Sequence, residues 1–393
     1  MRKNKICIVI GSAMNLNSLY KDQFKYLMKN GYEVTGVAPS GEEHNWLQKD
    51  GVKTKVIHLK RPPSIFNDLF SVFQLSYFFI FNRFDIISVS TPKASLVGTL
   101  AAKISLQNNI IYTLRGRAYE GATGFKKKFY EFIEKFVCNN AKKVFCISHE
   151  LRKDIIKKGI CEEDKIFTIG SGSSNGVDLC KFSRDKNTLE KGNQIRAKYN
   201  IGKDDLLILY SGRIRKDKGI NELVDAFNEL CQKHPNVYLL IQGKYDYFDP
   251  LSPEVIKIIK ENPRIIEAGW EKDIEGYYAA SNIFAFPSHR EGFGNVAIEA
   301  SAMGLPVIGF DVIGCRESIK NEVSGILVSE INAQVFAKKL EELILNPNLR
   351  NRLGTQGKEW VYNSFDSKMI WKHLLNIYDG MLDKENYAFR ANR

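Results

Sequence analysis

Short apolar runs alternate with longer amphipathic stretches through most of the chain. "KICIVI", "YEVTGVA", "KTKVIHL", "DIISVS", "NNIIYTL", "KKVFCIS" and "KIFTIG" read as strands, with helical patterns such as "LYKDQFKYLMKNG" and "ASLVGTLAAKI" between them. This β-then-α order predicts a parallel sheet with crossover helices. A polar, charged stretch, "SRDKNTLEKGNQ" (Ser183 to Gln194), interrupts the pattern, which restarts with "DLLILYSG", "VYLLIQG", "RIIEAGW", "NIFAFPS" and "LPVIGF". Two doubly wound α/β units joined near residue 190 are the simplest account. In such sheets ligands bind beyond the carboxyl ends of strands, so the loops that follow strands are where chemistry is sought.

At 393 residues, with 44% hydrophobic and 26% charged positions, the chain has the composition of a soluble globular protein with room for two cores. No apolar run reaches the roughly 20 residues that span a bilayer. The nearest, "LFSVFQLSYFFIF", is broken by Ser71, Gln74 and Ser76. The basic start leads into "KICIVI", only six residues, which ends at Gly11 and has no small-residue cleavage site nearby; this predicts a first buried strand and a cytoplasmic address. Seven scattered cysteines without a C-x-x-C pair suggest neither a disulfide framework nor a zinc site. Charge divides unevenly: residues 1–190 hold 30 Lys+Arg against 18 Asp+Glu, and the remainder holds 27 of each. The whole excess of +12 lies in the first half, which predicts an anionic partner there, nucleic acid or a membrane surface.

Two post-strand loops of the second half carry chemistry. In "SGRIRKDKGINELVDAF" a glycine turn at Gly212 leads to Arg213, Arg215, Lys216 and Lys218, and a helix opens near Gly219. Arg grips phosphate oxygens as a fork and Lys adds a point charge, so the stretch suits a diphosphate; alone it also fits a solvated basic turn. No P-loop pattern is present. In "SHREGFGNVAIEASAMGLPVIGFD" (Ser288 to Asp311), "HREGFG" is the turn and "NVAIEASAM" the helix, with Asn295 placed to cap it. The unpaired amides of Phe293 to Val296 form an anion site, and Gly292 and Gly294 let the backbone approach a bulky ligand. Glu299, about one turn in, and Glu291, before the turn, would flank a ligand seated there. Alternatively both acids only favour the helix dipole. Trp270, after "RIIEAG", flanks a nucleobase or belongs to the core.

Together "SGRIRKDKG", "AGWEKDIEGYYAASNIFAFPSHREGFGNVAIEASAMGLPVIGFD" and "GCRESIKNEVSGILV" closely resemble the retaining nucleotide-sugar glycosyltransferases of family 4, of the type that builds bacterial capsule, O-antigen (lipopolysaccharide) and lipid-linked glycans. The resemblance is dense from about residue 205 to 365. It implies the GT-B fold class, α/β with two Rossmann-like doubly wound parallel-sheet domains facing across a cleft. The expected bounds are 1–188 for the acceptor domain, completed by a C-terminal helix at 367–393, and 189–366 for the nucleotide-sugar domain. Carried over by position, Arg213 and Lys218 match the diphosphate-binding cations, Glu299 the acid on the ribose, Glu291 the acid near the transferred sugar, and the Phe293–Val296 backbone the segment over sugar and phosphate. The implied donor site is thus Gly212, Arg213, Lys218, Trp270, Glu291, Gly292, Phe293, Gly294, Asn295, Val296 and Glu299, with Glu291, Arg213 and Lys218 at the reaction centre. The implied reaction moves a hexose or N-acetylhexosamine from a UDP-sugar to a lipid-diphosphate-linked or other glycan, on the front face, with the leaving diphosphate assisting. It needs no metal and no cofactor.

Many relatives carry a His after the strand matching "NNIIYTL"; here the loop reads "RGRAYEGATG", and Arg115, Tyr119 and Glu120 are the candidates to replace it. Gly11 and Ser12 stand where some relatives place a double glycine, and Lys93 lies near a helix start that suits a lipid diphosphate. His149 and His289 read as satisfied or exposed. "GFKKKFYEFIEKF" sets Lys126, Lys127 and Lys128 beside Phe125, Phe129, Phe132, Ile133 and Phe136 at helical spacing. That suits an interfacial helix on an anionic membrane, with "HLKRPPSIFNDLFSVFQLSYFFIF" as a second contact; core aromatic stripes with solvated lysines are the alternative. The expected address is therefore peripheral, on the inner face of the cytoplasmic membrane. A nucleotide-sugar epimerase and a basic nucleic-acid-binding protein are the rival functions. No recognition-helix or RNA-binding motif supports the second, so nucleic acid is not an expected partner.

Overall fold

The computed structural model describes residues 3–60, 64–117 and 119–391, the side chains of 383–391 excepted. The chain forms two compact units, Met1–Asn175 with Lys368–Arg393, and Gly176–Ser367. The first holds β1 (Lys5–Val9), β2 (Glu33–Ala38), β3 (Lys53–Val56), β4 (Ile86–Ser90), β5 (Ile110–Leu114), β6 (Lys143–Cys146) and β7 (Ile166–Phe167). Its helices are α1 (Ala13–Lys29), α2 (Glu43–Lys49), α3 (Ile65–Phe81), α4 (Pro92–Ile104), α5 (Gly124–Asn140) and α6 (His149–Lys157). The strands are all parallel, in the order β3-β2-β1-β4-β5-β6-β7. The order reverses between β1 and β4, so α1 and α2 cover one face and α3 to α6 the other, as right-handed crossovers require.

The second unit holds α7 (Lys186–Lys198), β8 (Leu206–Ser211), α8 (Ile220–Lys233), β9 (Val237–Gln242), α9 (Pro253–Glu261), β10 (Ile265–Gly269), α10 (Glu275–Ala280), β11 (Ile283–Phe286), α11 (Asn295–Ala302), β12 (Val307–Phe310), α12 (Cys315–Ser318), β13 (Gly325–Val328), α13 (Ala333–Leu345) and α14 (Pro347–Ser364). Its parallel order is β10-β9-β8-β11-β12-β13, with the reversal between β8 and β11. The last helix, α15 (Ser367–Ala391), packs on the first unit. Its Ile370, Leu374, Tyr378 and Met381 share one core with Leu16, Tyr20 and Phe24 of α1.

Two boundaries differ from the sequence reading. The join lies at 175/176, earlier than 188/189, because Val177 already pairs with the second unit: its N–H donates to Phe365 O at 2.7 Å, and Ser367 N–H returns to Val177 O at 3.0 Å. "SRDKNTLEKGNQ" is not an interruption but most of α7, capped by Asp185, which accepts the Thr188 N–H at 2.8 Å. Helix α7 docks on α10 through backbone closeness, since a Cβ on Gly192 would come within 2.9 Å of the Ala280 nitrogen. Small residues make that contact, so no apolar stripe announces it. With these bounds the first unit carries 32 Lys+Arg against 18 Asp+Glu and the second 25 against 27, which sharpens the split.

Helices α3 and α5 show which way the aromatic stripes face. Helix α3 buries Ser71, Leu75, Ser76 and Phe79 and exposes Ile65, Phe66, Leu69, Phe70, Phe73, Tyr77, Ile80 and Phe81, with Phe66 88% exposed. On α5, Val137 and Cys138 are core and Phe136 packs against it, while Phe125, Phe129 and Phe132 are exposed. Lys126, Lys127 and Lys128 are exposed as well. The core alternative therefore fails for most of both stripes. Of the expected second contact, Arg61, Pro62 and Pro63 lie outside the described residues.

Candidate functional site

The reversal between β8 and β11 opens the crevice where an open α/β sheet binds ligands. Both chemistry-bearing loops flank it, 212–219 after β8 and 287–294 after β11. They are drawn together at Gly219, whose φ of +70° and whose approach to Pro287 exclude any side chain: a Cβ there would lie 1.8 Å from the Pro287 carbonyl oxygen. The His289 N–H donates to Asp217 O at 3.0 Å across the same gap.

Lys218 and Glu291 meet over this join. The Lys218 ammonium donates to Glu291 Oε1 and, at 3.3 Å, to Arg290 O, and Ser288 Oγ donates to Glu291 Oε1 at 2.9 Å. Both charged side chains are mostly shielded from water, which strengthens their attraction relative to an exposed pair. The other cations sort by burial. Arg215 is only 11% exposed and contacts Asp217 at 2.5 Å, Asp249 at 3.4 Å and Asp246 at 3.5 Å, so it serves the scaffold. Arg213 is 55% exposed, with Asp246 at 3.3 Å, and its guanidinium can turn to a ligand. Gly212 continues the ladder, its N–H donating to Gln242 O at 3.0 Å.

Helix α11 begins differently from the sequence reading. Gly294, not Asn295, is its N-cap, at φ +93°, and no side chain caps the helix. A Cβ on Gly294 would come 2.7 Å from the Phe286 ring, so glycine is required for both shape and space. The Phe293 side chain is core rather than site: it is 2% exposed and packs against Phe365 at 5.5 Å. Gly292, Asn295 and Val296 are half-buried at the turn. Glu299 accepts the Tyr278 hydroxyl at 3.1 Å, and burial pushes its carboxyl up to about 7, with the Tyr278 hydrogen bond and the Lys181 charge opposing. Trp270 is half-exposed on the loop after β10, with the Lys244 ammonium 4.7 Å from its ring. Sequence reasoning missed Tyr278, Ser288, Asp246, and the Asp217–Arg290 pair at 2.8 Å. The last had a signal, because Asp217 and Arg290 each precede a selected residue.

In the first unit the reversal lies between β1 and β4, and Gly11, Ser12 and Lys93 lie just beyond those strands. The Gly11 N–H donates to Thr91 Oγ1 at 3.0 Å, and Thr91 itself has φ +71°, a strained conformation for a β-branched residue. Ser12 is the N-cap position of α1 without a side-chain capping bond. Lys93 is held by Asp68 at 2.6 Å and by Lys60 O at 2.7 Å, which ties the starts of α3 and α4 together. The three candidates for the absent His separate. Tyr119 is a core residue, 2% exposed, and Glu120 pairs with Arg117. Arg115 stands at the end of β5, donating to Ser90 Oγ at 2.8 Å and Tyr20 OH at 3.0 Å. His149 is satisfied by Gly170 O at 2.8 Å, and His289 Nε2 stands 3.1 Å from Glu222 Oε2.

Residues 192–360 match the family described as Glycosyl transferases group 1, and residues 20–179 match Glycosyltransferase Family 4. The capsular polysaccharide biosynthesis glycosyltransferase CapM of Staphylococcus aureus is 35% identical over 383 residues, covering 97% of this chain and 98% of that protein. The UDP-Gal:alpha-D-GlcNAc-diphosphoundecaprenol alpha-1,3-galactosyltransferase of Escherichia coli is 26% identical over 342 residues, covering 84% and 87%. Among solved structures, Anabaena HepE in complex with UDP and glucose superposes with a TM-score of 0.78 at 19% identity, over 96% of this chain and 100% of that one, which shows a common fold.

Proposed function

The chain belongs to the family 4 glycosyltransferases, with the GT-B fold, and on that premise we propose that it moves a hexose or N-acetylhexosamine from a UDP-sugar to a lipid-diphosphate-linked glycan with retention of configuration. The observation that carries the proposal is the convergence of Lys218, Glu291 and the uncapped start of α11 at the β8/β11 reversal. There the diphosphate meets Lys218, Arg213 and first-turn amides, and the ribose hydroxyls meet Glu299. Glu291 lies beside the transferred sugar. As the sugar–phosphate bond breaks, charge accumulates on the departing diphosphate, and fixed cations and amide dipoles stabilise it without reorganising. Those groups can do so without a metal ion. The relatives whose names specify capsule assembly and a diphosphoundecaprenol acceptor support the acceptor class. Family membership weighs against both the epimerase and the nucleic-acid readings.

Nucleotide release measured over a panel of nucleotide sugars, in EDTA, is expected to show one UDP-sugar consumed, with acceptor lipid accelerating it. Release only when a divalent ion is added would overturn the metal-independent part, and inertness to every donor would overturn the whole.

The same proposal places the first unit on an anionic bilayer through α3 and α5. These helices lie on one face of the sheet, flanking α4, and both begin at its carboxyl edge, where Gly11, Lys93 and Arg115 also lie. Soluble monomers rarely expose contiguous apolar patches beyond a few hundred Å². Here α3 exposes eight large apolar side chains, and α5 exposes three aromatics and three lysines. A lysine-bearing rim repels a second copy of itself and attracts anionic headgroups. Flotation with phosphatidylglycerol vesicles is expected to carry the wild-type chain. Phe66→Ser with Phe73→Ser, or Lys126–Lys128→Gln, should each lower the bound fraction several-fold; equal flotation of all three would sink the idea.

A further inference from the structure

Asp217 and Lys218 are successive residues after β8, and Arg290 and Glu291 are successive residues after β11. They pair in the same order with opposite polarity: Arg290 Nε contacts Asp217 Oδ2 at 2.8 Å, and Lys218 contacts Glu291. We infer that Asp217 and Arg290 are positioning residues, a latch that holds the two donor loops in register while Lys218 exchanges Glu291 for the donor's diphosphate. The inference rests on the donor site proposed above.

The two pairs differ in what backs them. Lys218–Glu291 is backed by neutral groups, Arg290 O and Ser288 Oγ, and an arriving diphosphate would attract Lys218 and repel Glu291. That pair is therefore the one a donor disturbs. Behind Asp217 stands a scaffold. Its Oδ1 contacts Arg215 Nε at 2.5 Å, and its N–H donates to Asp249 Oδ2 at 2.8 Å. Arg215 in turn reaches Asp249 at 3.4 Å and Asp246 at 3.5 Å, and Asp246 is nearly buried. The loops after β8, β9 and β11 thus form one chain of alternating charge whose last link is Arg290.

Opposite polarity also fixes register. A slip of one residue between the loops sets Lys218 against Arg290, or Asp217 against Glu291, and like charges at contact are repelled rather than merely unpaired. Sub-ångström placement of a cation at a departing phosphate governs rate more than affinity. A loosened latch is therefore expected to appear in kcat.

Asp217→Asn and Arg290→Gln test this in two ways. In hydrogen exchange on the unliganded full chain, either substitution is expected to speed exchange at least tenfold in both loops, 213–219 and 288–294, leaving the β8 and β11 amides unchanged. In nucleotide release, each should lower kcat at least tenfold with UDP affinity within threefold of wild type. The double variant should lose no more than the worse single one. Faster exchange confined to the substituted loop, kcat within twofold of wild type, or losses that multiply would each overturn the latch. The exchange arm needs no nucleotide, so it judges the latch even if the donor reading fails; that failure would show separately, as a wild-type chain that binds no UDP and consumes no donor.

Discussion

Lys218→Ala is expected to lower the rate of sugar transfer on the order of 10²- to 10³-fold at saturating donor, the usual loss when one fixed group facing developing charge is removed. The cause is position. Lys218 is shielded, donates to Arg290 O at 3.3 Å, and stands at the close approach of the two loops. A group so held needs no reordering when charge appears on the diphosphate. Arg213 is more exposed and leans on Asp246 at 3.3 Å, so Arg213→Ala should cost nearer tenfold. Single-turnover measurements separate these losses from product release. A Lys218→Ala enzyme within fivefold of wild type would show that the diphosphate lies elsewhere.

Glu299→Gln is expected to weaken UDP binding on the order of 10- to 100-fold, from about 1.5–3 kcal/mol for hydrogen bonds to a charged acceptor. Its pH signature is more telling. Burial raises the carboxyl to about 7, above its value in an unfolded chain, so near neutrality it is only partly ionised. Ribose hydroxyls donate to the carboxylate and favour that form. Binding therefore releases a proton near pH 7, and affinity falls as pH drops through that value. The terminal phosphate of UDP titrates in a similar range. The quantity to read by calorimetry is thus the difference between wild-type and Glu299→Gln profiles from pH 6 to 8. Parallel profiles would remove Glu299 from the ribose.

Much of this architecture is legible in the chain because parallel strands are buried on both faces and read as bare apolar runs. Twelve such runs were identified, and each contains a strand. Strand β13, Gly325–Val328, is not among those runs. Helix α7 was missed because its contact with α10 is made by Gly192 and alanines rather than by a stripe. The direction of α3 was open for another reason: a helix apolar nearly all round does not specify which side is covered, and this one buries two serines while exposing phenylalanines. At the site, residue types and order pointed to Lys218, Glu291 and Glu299. Residue type alone does not tell Arg213 from Arg215; the family resemblance selects Arg213, and what separates the two physically is the burial of Arg215 against Asp246 and Asp249. Nor could sequence show that Gly294 displaces Asn295 as the cap, which depends on the Phe286 ring filling the space a Cβ would need.

The central claim is that a nucleotide sugar is held where the β8 and β11 loops meet, and a crystal structure of the chain grown with UDP tests it most directly. The account predicts the diphosphate against Lys218, Arg213 and the first amides of α11, with the ribose on Glu299. A saturating nucleotide bound away from those four groups would contradict it.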